Sequence, residues 1–210
     1  SMVSSITKFS HMLTKPQDIV EVMNTALESA QTGRKGPVWI DIPLDLQSAL
    51  INPEDIQTNP SANLTSIAEA DDEDISRVLH NWSEAKRPAL LIGSGVKSAG
   101  VESDLRALVE RYNIPLTFTS SAPDVMGSTH PLSIGSVGAM GCSRAGNFVV
   151  QNADFLLVLG SRLTSLNTGP DFCKFARSAY VVVVDIDPVE HSKESIDIDQ
   201  FIESDVSHFI

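Results

Sequence analysis

Four short clusters in this chain have the residue types and spacing to handle a phosphate-bearing ligand. Gly93-Ser94-Gly95 falls between an apolar run and a helical pattern. A glycine turn there lets backbone N–H groups approach a phosphate at a helix N-terminus. The GxGxxG spacing is incomplete, because Ser98 stands where the third glycine belongs and Gly100 comes two residues later. A tight strand–helix turn with no ligand accounts for the same residues. Residues 134–146, IGSVGAMGCSRAG, place Gly135, Gly138, Met140, Gly141 and Gly146 ahead of a helical stretch. Such a loop can wrap a flat ligand or a diphosphate, and it also suits a plain surface loop. Gly160-Ser161-Arg162 ends a third apolar run. A guanidinium fork matches phosphate oxygens, although a structural ion pair would also occupy it. The fourth cluster is Asp185-Ile186-Asp187-Pro188. Asp185 has the chemistry to accept hydrogen bonds from ribose hydroxyls or an adenine amine. Asp187, followed by proline, reads as a helix cap. Asp205 carries no independent signal.

Other chemistries lack their residues. There is no GxSxG elbow, no GxxxxGK[ST] loop and no Ser/His/Asp order that stands out. The five histidines are scattered without metal spacing, and Cys142 and Cys173 form no CxxC. A disulfide framework and a zinc site are not expected, and a reducing cytoplasm is the default. The formal net charge of −12 argues against nucleic acid and anionic membranes, which need clustered Lys and Arg. No apolar run reaches membrane-spanning length, and no secretory signal pattern is present. Ser1 ahead of Met2 reads as an added residue, which leaves the natural N-terminus open.

The elements that must position these clusters follow from periodicity. Thr14 and Gln17 have capping-box spacing, and a helix to about Ala30 would carry Ile19, Val20, Met23, Leu27 and Ala30 on one face, with Gly33 stopping it. The run Val38-Trp39-Ile40-Asp41-Ile42 reads as a lone buried strand that Pro43 ends, with Asp41 structural. Residues 46–70 are rich in Pro, Asn and Ser and read as a linker. From Asp71 the pattern is regular. A helix capped by Asp71-Asp72 carries Ile75, Val78, Leu79 and Trp82. Strands are expected at 89–92, 115–118, 155–159 and 180–186, with weaker ones near 133–134 and 196–201. One helix is expected through Val101, Leu105, Leu108, Val109 and Tyr112, another near 144–151, and a short one near 171–176. Continuously apolar strands alternating with helices predict an α/β fold. It is a Rossmann-like parallel sheet of five to six strands with helices on both faces.

These residues in this order resemble the thiamine-diphosphate-dependent enzymes of the acetolactate synthase type. Residues 1–45 resemble the end of that family's pyrimidine-binding domain, and residues 71–210 its central domain. The landmarks are Arg87-Pro88, the turn at 93–95, the loop at 138–141, NADFLLVLGSR, VVVVDIDP and Asp205-Val206. The resemblance implies a parent enzyme acting on 2-oxo acids, with thiamine diphosphate and Mg²⁺ bound outside this stretch. The activating glutamate would lie upstream, and no GDG motif occurs here. The parent would be a homodimer or homotetramer, completed by N- and C-terminal domains. The chain alone is not expected to be catalytic. Central domains of relatives bind FAD, mostly in a non-redox role, or ADP, or nothing. Carried over by motif, the candidate FAD or ADP contacts are Gly93, Ser94, Gly95, Gly138, Met140, Gly141, Gly160, Arg162, Asp185, Asp187 and Asp205. The chain departs from the flavin-binding pattern at Met140-Gly141-Cys142, where relatives carry a histidine-bearing loop. It departs again at residues 163–167, where they carry an acidic run.

A free-standing nucleotide-binding module is the alternative, with a regulatory or scaffold role. A sirtuin-like deacylase would need four zinc-binding cysteines, and the chain has two. For residues 1–45 the expectation is a remnant without a complete sheet of its own, poorly packed or dependent on contacts from elsewhere.

Overall fold

The computed structural model describes residues 2–56, 69–140, 142–193 and 195–210. The chain divides into two compact units, residues 1–66 and 67–210.

The smaller unit is built on a parallel crossover. Strand β1 (Phe9–Met12) leads through a 3₁₀ turn at Pro16–Asp18 into helix α1 (Ile19–Gln31), which returns the chain to strand β2 (Val38–Asp41). The two strands pair in parallel from Phe9↔Val38 to Met12↔Asp41. The strand expected to stand alone therefore has a partner. FSHM has no apolar run and only four residues, so it carries no strand pattern of its own. The expected capping box does not form. Pro16 opens a 3₁₀ turn behind Lys15, and neither Lys15 nor Asp18 makes a side-chain cap. Proline has no N–H and fixes φ, which favours this tight opening over a box centred on Thr14. Along α1 the buried residues are Val22 and Ala26, while Met23 and Leu27 are exposed. After Gln31 the chain reverses at Gly33, whose φ of +53° suits glycine. Pro43 does end β2, and a short helix α2 (Leu44–Gln47) follows directly. Asp41 accepts a hydrogen bond from Trp39 Nε1 at 2.8 Å, the structural role its sequence context suggested.

The larger unit is one six-stranded sheet. Its strands are β3 (Pro88–Ile92), β4 (Leu116–Phe118), β5 (Ser133–Ser136), β6 (Phe155–Leu159), β7 (Tyr180–Asp185) and β8 (Gln200–Glu203). They lie in the order β5-β4-β3-β6-β7-β8, and all five neighbouring pairs are parallel. This is the doubly wound order, with its reversal between β3 and β6. Alternate residues of each central strand face opposite layers. Leu90, Ile92, Phe155, Leu157, Val182 and Val184 join a core with Val78, Leu105 and Val109. Ala89, Leu91, Leu156, Val158, Val181 and Val183 join another with Val150, Leu163 and Phe175. Both faces are covered, which is why these strands read as unbroken apolar runs.

The helices follow their caps. In α3 (Asp72–Glu84), Asp71 accepts from Asp74 N at 2.7 Å. The single helix expected after β3 is two. Helix α4 (Gly95–Ala99) ends at Gly100 in the left-handed region, and α5 (Glu102–Tyr112) starts afresh. Glycine is the residue that tolerates this reversal. Helix α6 (Arg144–Asn152) is capped by Ser143. The short helices α7 (Ser165–Thr168), α8 (Pro188–His191) and α9 (Val206–Phe209) follow β6, β7 and β8. Asp154 fastens the opposite end of the sheet. Its carboxylate accepts from the N–H groups of Lys86 and Arg87 at 3.0 and 2.8 Å, holding β6 beside β3. No described helix is long and apolar enough to cross a membrane.

Candidate functional site

In a doubly wound sheet, ligands bind beyond the carboxyl ends of the strands, at the point where strand order reverses. Gly93-Ser94-Gly95 follows β3 and Gly160-Ser161-Arg162 follows β6, so these clusters flank that reversal. The strand ends are stitched in sequence. Gly93 N donates to Leu159 O at 2.9 Å, Gly160 N to Val184 O at 3.0 Å, and Ser204 N to Asp185 O at 3.2 Å. This brings the turns at 93–95 and 160–162, Asp185 and the Ser204-Asp205 corner into one row.

The glycines of that row are explained by each other. A Cβ on Gly93 would lie 2.3 Å from Gly160 O, and one on Gly95 would lie 2.5 Å from Gly160 Cα. Gly95 N donates to Gly160 O at 2.9 Å. The turns cross so closely that only glycine fits, and one N–H at the start of α4 is already bonded. Ser94 is exposed at the outer side of the turn.

Arg162 is placed differently. It is exposed, and its side chain makes no hydrogen bond or ion pair with the described residues. The next residue, Leu163, is buried with φ of +49°. A non-glycine residue in that region carries strain, which packing must offset. Burial of Leu163 in the core holds the reversal, and the reversal leaves Arg162 outward.

Asp185 ends β7 with 8% of its surface exposed. One carboxylate oxygen accepts from Asp187 N at 3.1 Å. The other lies 3.6 Å from His191 Nε2, beyond hydrogen-bonding distance. That histidine nitrogen is buried with no hydrogen-bond partner among the described residues. Asp187 caps α8 by accepting from Glu190 N at 3.1 Å, as the Asp-Pro pair predicted. Asp205 caps α9, accepting from the N–H and hydroxyl of Ser207 at 2.8 and 2.7 Å. Asp187 and Asp205 thus have structural work of their own.

The loop between β5 and α6 leaves the edge strand after Ser136. Ala139 N donates to Leu166 O at 2.8 Å, which ties the loop to the segment after Arg162. Met140 is 78% exposed. Gly141 lies outside the described residues. Sequence reasoning missed Asn147 and His191. Asn147 bonds both backbone groups of Gly138. Asparagine is a poor choice inside a helix, and that mismatch was the available signal. His191 gave none.

As a place for a nucleotide diphosphate, the edge offers an uncommitted guanidinium, a carboxylate oxygen free of hydrogen bonds and two glycine turns at the strand reversal. For thiamine diphosphate and its cation it offers nothing comparable. Among the described residues, no group of three or more His, Cys, Asp or Glu side chains is placed to hold a metal.

Comparison with known proteins agrees with this architecture. Residues 75–210 match the family described as thiamine pyrophosphate enzyme, central domain. Over 189 residues the chain is 37% identical to acetolactate synthase isozyme 1 large subunit of Escherichia coli K12, covering 90% of this chain and 32% of that protein. It is 35% identical over 196 residues to a probable acetolactate synthase large subunit of Methanococcus aeolicus, with 90% and 32% coverage. It is 37% identical over 193 residues to the chloroplastic acetolactate synthase 1 of Zea mays, with 90% and 29% coverage. The chain thus spans about a third of the length of these relatives. With the doubly wound sheet and the profile match covering most of its length, the chain belongs to the thiamine pyrophosphate enzymes, of which it carries an acetolactate synthase-like central domain.

Proposed function

We propose that the parent protein is a thiamine-diphosphate- and Mg²⁺-dependent enzyme that decarboxylates and joins 2-oxo acids, in the manner its relatives' names indicate. This chain contributes the central domain, which binds a nucleotide diphosphate, FAD or ADP, along the carboxyl edge of the sheet. The observation that carries the nucleotide reading is Arg162. It is an exposed guanidinium without a described partner, directed outward beside the strand reversal by the buried Leu163. Keeping a cation there suits a phosphate better than it suits packing. Asp185 would take the hydroxyl or amine end of the ligand. Bound FAD would supply a flat, anionic group that braces the domain, with no redox step required of it. The parent is proposed to be a cytoplasmic homodimer or homotetramer, and Cys142 and Cys173 are unbridged thiols that suit a reducing compartment.

A purely structural domain is the second reading. It is favoured by the bond from Gly95 N to Gly160 O, which closes the turn most suited to a diphosphate. A free-standing module would require a reading frame with neither the upstream glutamate nor the downstream GDG motif. Calorimetric titration of the 210-residue protein with FAD and with ADP decides between ligand and no ligand. The expected result is saturable binding that Arg162→Ala weakens about tenfold, the size of a charge-assisted phosphate contact. Absence of heat with both nucleotides would establish the structural reading.

A further inference from the structure

The loop after β5 is held more firmly than its exposure warrants. Its base is closed by Ser143, whose N–H donates to Ser136 O and Oγ at 3.1 and 3.2 Å. The Ser143 hydroxyl also accepts from Gly146 N at 2.8 Å, capping α6. One turn into that helix, Asn147 faces the loop. Its Nδ2 donates to Gly138 O at 2.9 Å, and its Oδ1 accepts from Gly138 N at 3.0 Å. The amide group thus pairs with both backbone groups of one residue, as a neighbouring strand would. Gly138 is at φ of +149°, and a Cβ there would lie 2.5 Å from Leu166 O. Beneath the loop is a cavity of about 260 Å³ lined by Val137, Gly138, Asn147, Asn167 and Phe175 among others.

Fixing an exposed loop costs conformational entropy, and past Val137, which is buried at the loop's start, the described residues Ala139 and Met140 are exposed and bury little to offset it. Met140 faces solvent. Rigid exposed backbone is what a ligand wall requires, because ordering done before binding is not charged against affinity. We infer that Asn147 is a positioning residue for the nucleotide site: it sets the backbone of Gly138 so that the loop is presented to the ligand already in its bound shape. The bond from Ala139 N to Leu166 O passes that setting to the segment that follows Arg162. Asn147 itself does not touch the nucleotide. This inference rests on the nucleotide reading above.

The test pairs two measurements on wild type, Asn147→Ala and Asn147→Asp. Hydrogen exchange of the ligand-free proteins reads the loop, and calorimetric titration with FAD and ADP reads the site. In Asn147→Ala, exchange at the Gly138 amide should quicken about tenfold as its acceptor is removed, while β6 amides stay protected. Nucleotide affinity should fall by a similar factor without a matching drop in melting temperature. Asn147→Asp keeps the acceptor and loses the donor, so it should fall between, and it replaces the alanine variant if that fails to fold. Equal affinity in all three proteins, with faster Gly138 exchange, would overturn the positioning role and leave the nucleotide reading standing. Unchanged Gly138 exchange would overturn it as well. No binding by wild type would remove the nucleotide reading itself, and the positioning role with it.

Discussion

The two units of this chain use the same motif with very different returns. Both contain parallel strands joined by a helical crossover. In the larger unit, six strands are covered on both faces, and β3, β6 and β7 are almost wholly buried. In the smaller, two strands and the crossover helix between them leave Leu13, Val22 and Ala26 as the buried apolar side chains among those described. Trp39, Leu27, Leu44 and Leu50 are exposed there. A crossover alone does not make a core; a sheet wide enough to be covered twice does. The contrast also separates roles. Strand ends that are fixed from both faces can hold an exposed arginine and a strained leucine, and the smaller unit has no comparable support.

The largest expected effect tests that contrast directly. Leu90→Ala removes a fully buried side chain from the middle of the sheet and should cost about 3 kcal/mol. Leu27→Ala, at a residue 50% exposed, should change stability by less than about 0.5 kcal/mol. The two tryptophans report on different units. Trp82 packs on Phe155 at 5.8 Å between ring centroids, and Trp39 is 48% exposed. In urea, Trp82→Phe protein should therefore show an early transition from Trp39, and Trp39→Phe protein a later one shifted by Leu90→Ala. A single shared transition would break the contrast.

A smaller effect sharpens the account of the strand reversal. Gly95→Ala should cost about 2 kcal/mol, because the added methyl meets backbone rather than a mobile side chain. Thermal unfolding checks this, and a neutral result would mean that the crossing turns adapt.

The smallest effect concerns pH. Partial burial opposes the charge on Asp154, but the N–H groups of Arg87 and Lys86, together with the Arg87 guanidinium, outweigh it and hold the carboxyl below its ordinary value. A carboxyl lowered by folding stabilises the fold above its unfolded pKa, and that stability is lost as pH falls through the folded value. The wild type should therefore lose stability as pH drops below about 4. Asp154→Asn should flatten that part of the profile, measured by urea midpoints between neutral and acid pH.

How much of this was legible in the sequence follows burial. Strand β6, and β7 up to Asp185, are unbroken apolar runs because both their faces are covered, so their bounds could be read within a residue. Strand β1 was invisible because FSHM is a strand through its pairing with β2 alone. Strand β8 is displaced from its expected place near 196–201 because Gln200 and Glu203 break the apolar pattern at a sheet edge. The helical stripe read from Val101 onward matches α5, but the short helix α4 ahead of Gly100 carries too few residues to show a period. That the clusters at 93–95 and 160–162 and Asp185 lie at the carboxyl ends of parallel strands was legible, because each closes an apolar run. The bond between Gly95 and Gly160, and the clamp of Asn147 on Gly138, were not. Each joins residues through geometry that pattern alone does not encode.

The central claim is that the working edge of this domain is the carboxyl edge of the sheet at the strand reversal. Hydrogen exchange of the 210-residue protein with and without saturating ADP tests it most directly. Added protection should fall on residues 93–95, 138–139 and 160–162 and on the end of β7. Protection at the opposite edge, around the groove lined by Lys86, Asn113, Pro115 and Phe148, or no change anywhere, would contradict it.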